Sequence, residues 1–228
     1  MRYEGPIYRP PSEADSLLVQ ATVGCPHNLC TFCMVYKQGV KFKVRPTREV
    51  KADLEEACQT YGSTVRTIFL PAGNTIAMPT AALAEVCRFA ASLFPRLERI
   101  TVYGSAQYIF RKGFEKLEML AAAGLKRIHL GLESGDDAIL TRVRKGTDSR
   151  TQIAAGRLVR QAGMELNAYV ILGLGGREQT DSHARETARV INEMAPHVVR
   201  CAPWYPRSTP PCWRISRPGA SRCSAPTG

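Results

Sequence analysis

Three cysteines stand within nine residues, in Gly24-Cys25-Pro26-His27-Asn28-Leu29-Cys30-Thr31-Phe32-Cys33. Thiolates spaced this tightly can converge on one soft metal centre, and no fourth cysteine lies beside them. Iron–sulfur clusters are normally held by four cysteines, so three ligands would leave one iron open. Zinc is the competing reading, since three cysteines and a histidine form an accepted zinc set and His27 lies in the loop. Against it, His27 follows Cys25 by only two residues, an awkward bite for tetrahedral closure, and there is no second cysteine pair.

A loop of this kind needs rigid elements to aim it. Leu17 to Thr22 precedes it and reads as a strand. A basic connector follows (Lys37, Lys41, Lys43, Arg45), and then a helix with Thr47 as N-cap, with Val50, Leu54, Ala57 and Tyr61 on one face and Gly62 as its stop. Strand and helix then alternate. Strands are expected at Val65–Leu70, Arg99–Tyr103, Arg127–Leu132 and Leu166–Leu172, with a sixth starting at His197–Arg200. Helices are expected from Thr80 to near Pro95, over Phe114–Ala123 and Asp137–Arg144, from Thr151 to Ala162, and over Asp181–Met194.

Such alternation implies parallel strands joined by right-handed crossovers, either in an open doubly wound sheet or in a barrel, complete or partial. The cysteine loop, Gly73-Asn74, Ser105, Glu133 and Gly173–Gly176 all fall just past the ends of successive strands. That is the end at which parallel α/β folds bind ligands.

The chain has 228 residues and is 44% hydrophobic, enough for one domain with a core. It contains no apolar run of about 18 residues, and its polar start is not a secretory leader. A cytoplasmic setting without membrane contact follows, where thiols stay reduced and clustered cysteines favour metal. The net charge of +11 is spread over helix faces, the segment from Lys37 to Arg48, and four arginines after residue 200. It reads as solvated surface rather than a nucleic-acid face. Cys58 and Cys87 lie on apolar helix faces and read as core thiols, and His129 reads as a satisfied core histidine.

Residues 1–16 form a Pro-rich arm and residues 17–200 the core. Residues 201–228 differ in kind, with both tryptophans, three of the eight cysteines and six of the fifteen prolines. Cys201-Ala202-Pro203-Trp204-Tyr205-Pro206 can be encoded so that reading one base earlier gives Leu-Arg-Thr-Leu-Val-Pro, a good continuation of the sixth strand. The tail is therefore expected to be translated out of frame.

The C-x4-C-x2-C loop with Phe32 before its last cysteine resembles that of the radical S-adenosylmethionine enzymes, whose usual pattern is one residue shorter. Gly131-Leu132-Glu133-Ser134-Gly135-Asp136-Asp137 with Arg144-Lys145-Gly146, and Ile171-Leu172-Gly173-Leu174-Gly175-Gly176, look like segments of its Elp3/MiaB-like branch. The resemblance spans about residues 3–200. It implies a partial parallel (β/α)6 barrel of TIM-like form and an enzyme. A [4Fe–4S] cluster on Cys25, Cys30 and Cys33 would cleave S-adenosylmethionine to a 5′-deoxyadenosyl radical.

Among cofactor contacts it implies Ala72, Gly73 and Asn74 near the methionine amino group, where the family's acidic residue is missing. Glu133 would accept hydrogen bonds from the cofactor, and Lys145 would pair with the methionine carboxylate. Phe32 would shield the cluster and Gly173 would lie under the adenine; Ser105 is added for its place after the third strand. The reductant would be a ferredoxin or flavodoxin, and the substrate a small molecule or RNA. A non-catalytic iron–sulfur electron carrier is the alternative.

Overall fold

The computed structural model describes residues 1–5, 7–36 and 40–204. Lys37 of the basic connector and the expected irregular tail from residue 205 onward lie outside these. Strand β1 (Leu17–Leu18) is followed by a small antiparallel pair, β2 (Thr22–Val23) with β3 (Lys43–Val44), and then by helix α1 (Thr47–Tyr61). The repeat continues as β4 (Thr67–Leu70), α2 (Thr80–Leu93), β5 (Arg99–Gly104), α3 (Ala106–Ala122) and β6 (Leu125–Glu133). Helices α4 (Asp137–Arg142) and α5 (Ser149–Gln161), strand β7 (Glu165–Leu172), helix α6 (Thr180–Met194) and strand β8 (Val198–Pro203) complete it.

All six main strands pair in parallel, in the order β1-β4-β5-β6-β7-β8. This order follows the chain without reversal. A doubly wound sheet reverses where its second half begins, so the order decides for a partial barrel. Helices pack in sequence against one another and against one face of the sheet, burying Ile68, Leu70, Ile100, Val102, Ile128, Leu130, Leu166 and Ala168. Alternate residues face the other way. There the rings of Phe69, Tyr103, His129 and Tyr169 meet across four strands, with contacting centroids 5.0–5.9 Å apart. Only a sheet curled toward that face brings four strands' side chains together.

The arm closes the end where the strands begin. Glu13 is fully buried, and its carboxylate accepts hydrogen bonds from Ser16 Oγ (2.7 Å), Arg127 Nη1 (2.9 Å) and His129 Nε2 (3.0 Å). Burial alone would raise this carboxyl, but the bonds from His129, Ser16 and Arg127 outweigh it and hold it at about 2. His129 also meets the Tyr169 hydroxyl at 3.4 Å through Nδ1, so it is a partnered core histidine.

Several local expectations give way to tertiary contacts. The first strand leaves the sheet after Val19, because Gln20 turns back to bond the backbone of Glu4 with both ends of its amide (2.7 and 2.9 Å). Helix α1 is not capped by Thr47; Pro46 occupies the cap, and Thr47 is the first helical residue. Helix α3 begins at Ala106, well before Phe114, and breaks at Gly113 (φ 71°, ψ 175°). Arg45 is not solvated connector charge: it is 2% exposed and donates to Asp53 at 2.8 Å and to the Gln20 carbonyl at 2.7 Å. Tyr61, expected inward, is exposed; Cys87 is fully buried, and half-buried Cys58 donates to the Leu93 carbonyl at 3.5 Å.

Candidate functional site

The cysteine loop is too short to hold its own shape, and two long-range backbone hydrogen bonds and one from a side chain fix it at the open end of the barrel. Gly73 N–H donates to the Gly24 carbonyl (3.0 Å), and Thr31 N–H donates to the Val143 carbonyl (2.9 Å). His27 Nε2 bonds the Arg144 carbonyl at 2.7 Å, and its ring lies where a side chain at Gly146 would stand (2.4 Å). Asn28, at φ 41°, bends the loop and donates to the Tyr36 carbonyl at 3.0 Å.

Cys25, Cys30 and Cys33, all free thiols, thereby line one cavity of about 250 Å³ with Phe32, Gly73 and Ser105. Glu133 and Lys145 line it too, with Tyr36, Tyr103 and Tyr169. A Cβ on Gly73 would lie 2.7 Å from that of Cys25 and 2.6 Å from the Tyr36 ring, so only glycine lets strand end and cysteine loop meet.

The ion pair Lys145–Glu133, 2.8 Å between Nζ and Oε1, is the charged feature of this cavity. Glu133 is placed for it by backbone strain: it has φ 65°, and the register between β6 and β7 shifts between Gly131 and Glu133. Lys145 follows Arg144 (φ 54°), and its ammonium stands 5.5 Å from the Phe32 ring centroid. Burial opposes its charge, but the charges of Glu133 and Cys30 beside it raise its pKa above the ordinary value. The Cys30 thiol is pushed up by burial, against the pull of Lys145.

Ala72, Asn74 and Gly173 do not line this cavity. Ala72 is buried at φ 108° behind Gly73. Asn74 is fully buried and spends both ends of its amide on Ser105, donating to Oγ at 2.8 Å and accepting from N–H at 3.1 Å. Gly173 is exposed at φ 82°, with open space over its Cα. The turn it begins, Leu174 to Gly176, lines a second hollow of about 430 Å³, and Phe32 stands in the wall between the two. The tyrosines, Gln107 and Gly131 had no signal of their own in the sequence; inward alternation along the strands is the one rule that selects Tyr103, Gly131 and Tyr169.

Among the described residues, no three His, Cys, Asp or Glu side chains are spaced to hold a single ion. His27 Nε2 is committed to a carbonyl. A zinc ion would need all its ligands within about 2.3 Å, whereas each iron of a cluster takes its own thiolate, so three separated thiols in one cavity fit a multi-iron group.

The sequence model of the family described as "Radical SAM superfamily" matches residues 19–191. The chain belongs to that superfamily. Its members are enzymes that use a [4Fe–4S] cluster and S-adenosylmethionine. Among curated relatives, the chain is 29% identical over 148 residues to an anaerobic magnesium-protoporphyrin IX monomethyl ester cyclase of Synechocystis, covering 64% of this chain and 28% of the cyclase. It is 25% identical over 189 residues to the tRNA-2-methylthio-N(6)-dimethylallyladenosine synthase of Rickettsia canadensis, covering 78% of this chain and 41% of the synthase. The radical SAM chain thus spans well under half the length of either relative.

Among solved structures, the radical SAM methyltransferase TsrM of Kitasatospora setae, with cobalamin and a [4Fe–4S] cluster bound, superposes with a TM-score of 0.67 at 17% identity, over 82% of this chain and 36% of that one. Coproporphyrinogen III oxidase HemN of Escherichia coli gives 0.61 at 19% identity, over 83% and 44%. Both share the partial barrel. Among the described residues no helix is long and apolar enough to cross a membrane.

Proposed function

We propose that this chain is the catalytic core of a radical SAM enzyme in which Cys25, Cys30 and Cys33 hold the cluster and S-adenosylmethionine binds against Gly73, Ser105, Glu133 and Lys145. When bound and reduced by one electron, the pair supplies cleavage of the sulfonium to methionine and a 5′-deoxyadenosyl radical, which takes hydrogen from substrate. The observation that carries this is one cavity, at the strand ends, that gathers three free thiols and the Lys145–Glu133 pair.

Each residue has a role its surroundings support. Lys145 offers the methionine carboxylate a desolvated cation, and Glu133, already bonded through Oε1, accepts from the amino group. Asn74 acts on the cofactor through Ser105: it donates to Oγ, leaving the hydroxyl proton free to point into the cavity. Ala72 holds the turn that presents Gly73. Phe32 covers the cluster side of Lys145, and Gly173 opens the turn beside Phe32 toward the adenine. Tyr36, Tyr103 and Tyr169 keep water out; burial raises the pKa of all three, so they stay neutral and add no negative charge to the cavity.

A ferredoxin or flavodoxin is the electron donor in this reading, and the setting is the reducing cytoplasm, in keeping with the free thiols of all six described cysteines. We also hold to an out-of-frame origin for residues 201–228, which the gene's codons test directly.

Anaerobic reconstitution with iron and sulfide tests the function. Reduction in the presence of S-adenosylmethionine should yield 5′-deoxyadenosine, and Cys30→Ser should lose the cluster. A cluster that forms without cleavage indicates an electron carrier instead. A colourless protein that binds zinc, or unchanged iron in Cys30→Ser, sinks the ligand assignment.

A further inference from the structure

A second charged hollow opens at the same end of the barrel. It has a volume of about 290 Å³ and lies at the break in α3, between that helix and the loop leading into α2. Arg111, Lys112 and Lys116 line it, and the rest of its wall is neutral: Ile76, Met78, Thr80 and Tyr108 among others. No Asp or Glu lines it, and among the described residues none of the three cations has a carboxylate partner within ion-pair distance.

Three other cations withdrawn from water do have carboxylate partners. Arg45 meets Asp53, Arg127 meets Glu13 and Glu165, and Lys145 meets Glu133. Lys112 meets only neutral acceptors, the Met78 carbonyl at 2.8 Å and Thr80 Oγ1 at 3.0 Å. Burial and the charge of Lys116 push its pKa down to about 8. An ammonium partly withdrawn from water and surrounded by like charge is electrostatically incomplete.

We propose that this hollow is the subsite for a phosphoryl group of the substrate, bound by Arg111, Lys112 and Lys116. A guanidinium fork and two point cations around one small concavity suit a tetrahedral dianion better than a planar carboxylate. The first turn of α2, a 14-residue helix, adds its N–H groups on the same side. The position relative to the cysteine cavity fits one ligand touching both. Gln107 lines the cysteine cavity and its neighbour Tyr108 lines the basic hollow, with Arg111 5.5 Å from the Tyr108 ring centroid. The assignment to substrate rests on the reading of the cysteine cavity as the radical site; the anion subsite itself does not.

Calorimetric titration of the full chain with pyrophosphate tests it, with S-adenosylmethionine present so that the cysteine cavity is filled. Binding should be salt-sensitive and should weaken about tenfold in Arg111→Gln and again in Lys116→Gln, as for loss of one charge-assisted bond each. Both side chains are exposed, so these variants should keep the wild-type melting temperature, and Lys112→Met adds a third arm. Stronger binding of an RNA oligonucleotide than of pyrophosphate would mark a nucleic-acid backbone as the source of the phosphoryl group; the reverse order marks a small phosphate ester. Absence of pyrophosphate and RNA binding, equal affinity for acetate, or unchanged affinity in the double variant would overturn the proposal. Because binding is also measured on the protein without its cluster, its failure is separable from failure to form 5′-deoxyadenosine.

Discussion

Replacing Glu13 by Gln should cost this protein a large share of its stability, although the residue lies in an arm that looks dispensable. The carboxylate is fully buried and serves Ser16, Arg127 and His129 at 2.7–3.0 Å, with Arg99 at 3.7 Å. A glutamine keeps the shape but removes the buried counter-charge that Arg127 and His129 share, leaving Arg127 only the more exposed Glu165. Removing one partner of a buried ion pair costs about 3–5 kcal/mol. An independent route gives a similar figure: holding a carboxyl at about 2 in the fold against 4.5 unfolded corresponds to on the order of 3 kcal/mol. The folded pKa is the lower one, so this contribution is complete above about pH 4.5 and is lost as pH falls through 2. Urea unfolding of both proteins at several pH values reads it. The wild type should exceed Glu13→Gln by about 3 kcal/mol at pH 7, and the gap should close on acidification. A gap under about 1 kcal/mol at pH 7, or one that persists unchanged at pH 2, would refute the account of the plug.

Two further changes probe the site. A Cβ at position 131 would lie 2.5 Å from Glu133 Oε1 and 3.0 Å from Lys145 Nζ, so Gly131→Ala should part that pair and weaken S-adenosylmethionine binding about tenfold, with the cluster spectrum retained; unchanged affinity by equilibrium dialysis would remove the pair from the cofactor site. His27→Ala loses the bond to the Arg144 carbonyl and the ring against Gly146, which should lower stability by about 1 kcal/mol while iron content stays at the wild-type level; loss of all iron would make His27 a ligand instead.

What could be read from the sequence was what short-range rules govern. The apolar runs of β4 to β7 and their glycine or polar stops stand where periodicity puts them, and the three cysteines fall in one loop because their spacing is local. Residues whose partners lie far along the chain were illegible. Nothing marks Glu13 as different from Glu4 until β6 supplies Arg127 and His129, and nothing marks Arg45 as buried until the Gln20 carbonyl stands opposite it. Asn74 illustrates the halfway case: its place after a strand was legible, but not the turn of its amide toward Ser105. The helix expected from Phe114 shows the opposite case: a further helical segment from Ala106 precedes the break at Gly113, and the break leaves Lys112 and Lys116 lining one hollow.

The backbone itself shows why the cavity is ready before any cofactor arrives. Among the described residues, five non-glycine residues have positive φ: Asn28, Ala72, Glu133, Arg144 and Ala195. Ala195 ends α6, but the other four flank the cavity, one in the cysteine loop and three in the segments that face it. Each such residue costs about 1–3 kcal/mol and persists only where its surroundings over-determine it. The determinants are the contacts that tie the loops together: Gly73 to Gly24 beside Ala72, His27 to the Arg144 carbonyl, Lys145 to Glu133, and Asn28 to Tyr36. Every one of them links a strained residue, or its neighbour, to another wall of the same cavity. The longer spacing between the first two cysteines is then absorbed by Asn28 at φ 41° and by the docking of His27, so the three thiols are aimed by the barrel and not by the loop's own length.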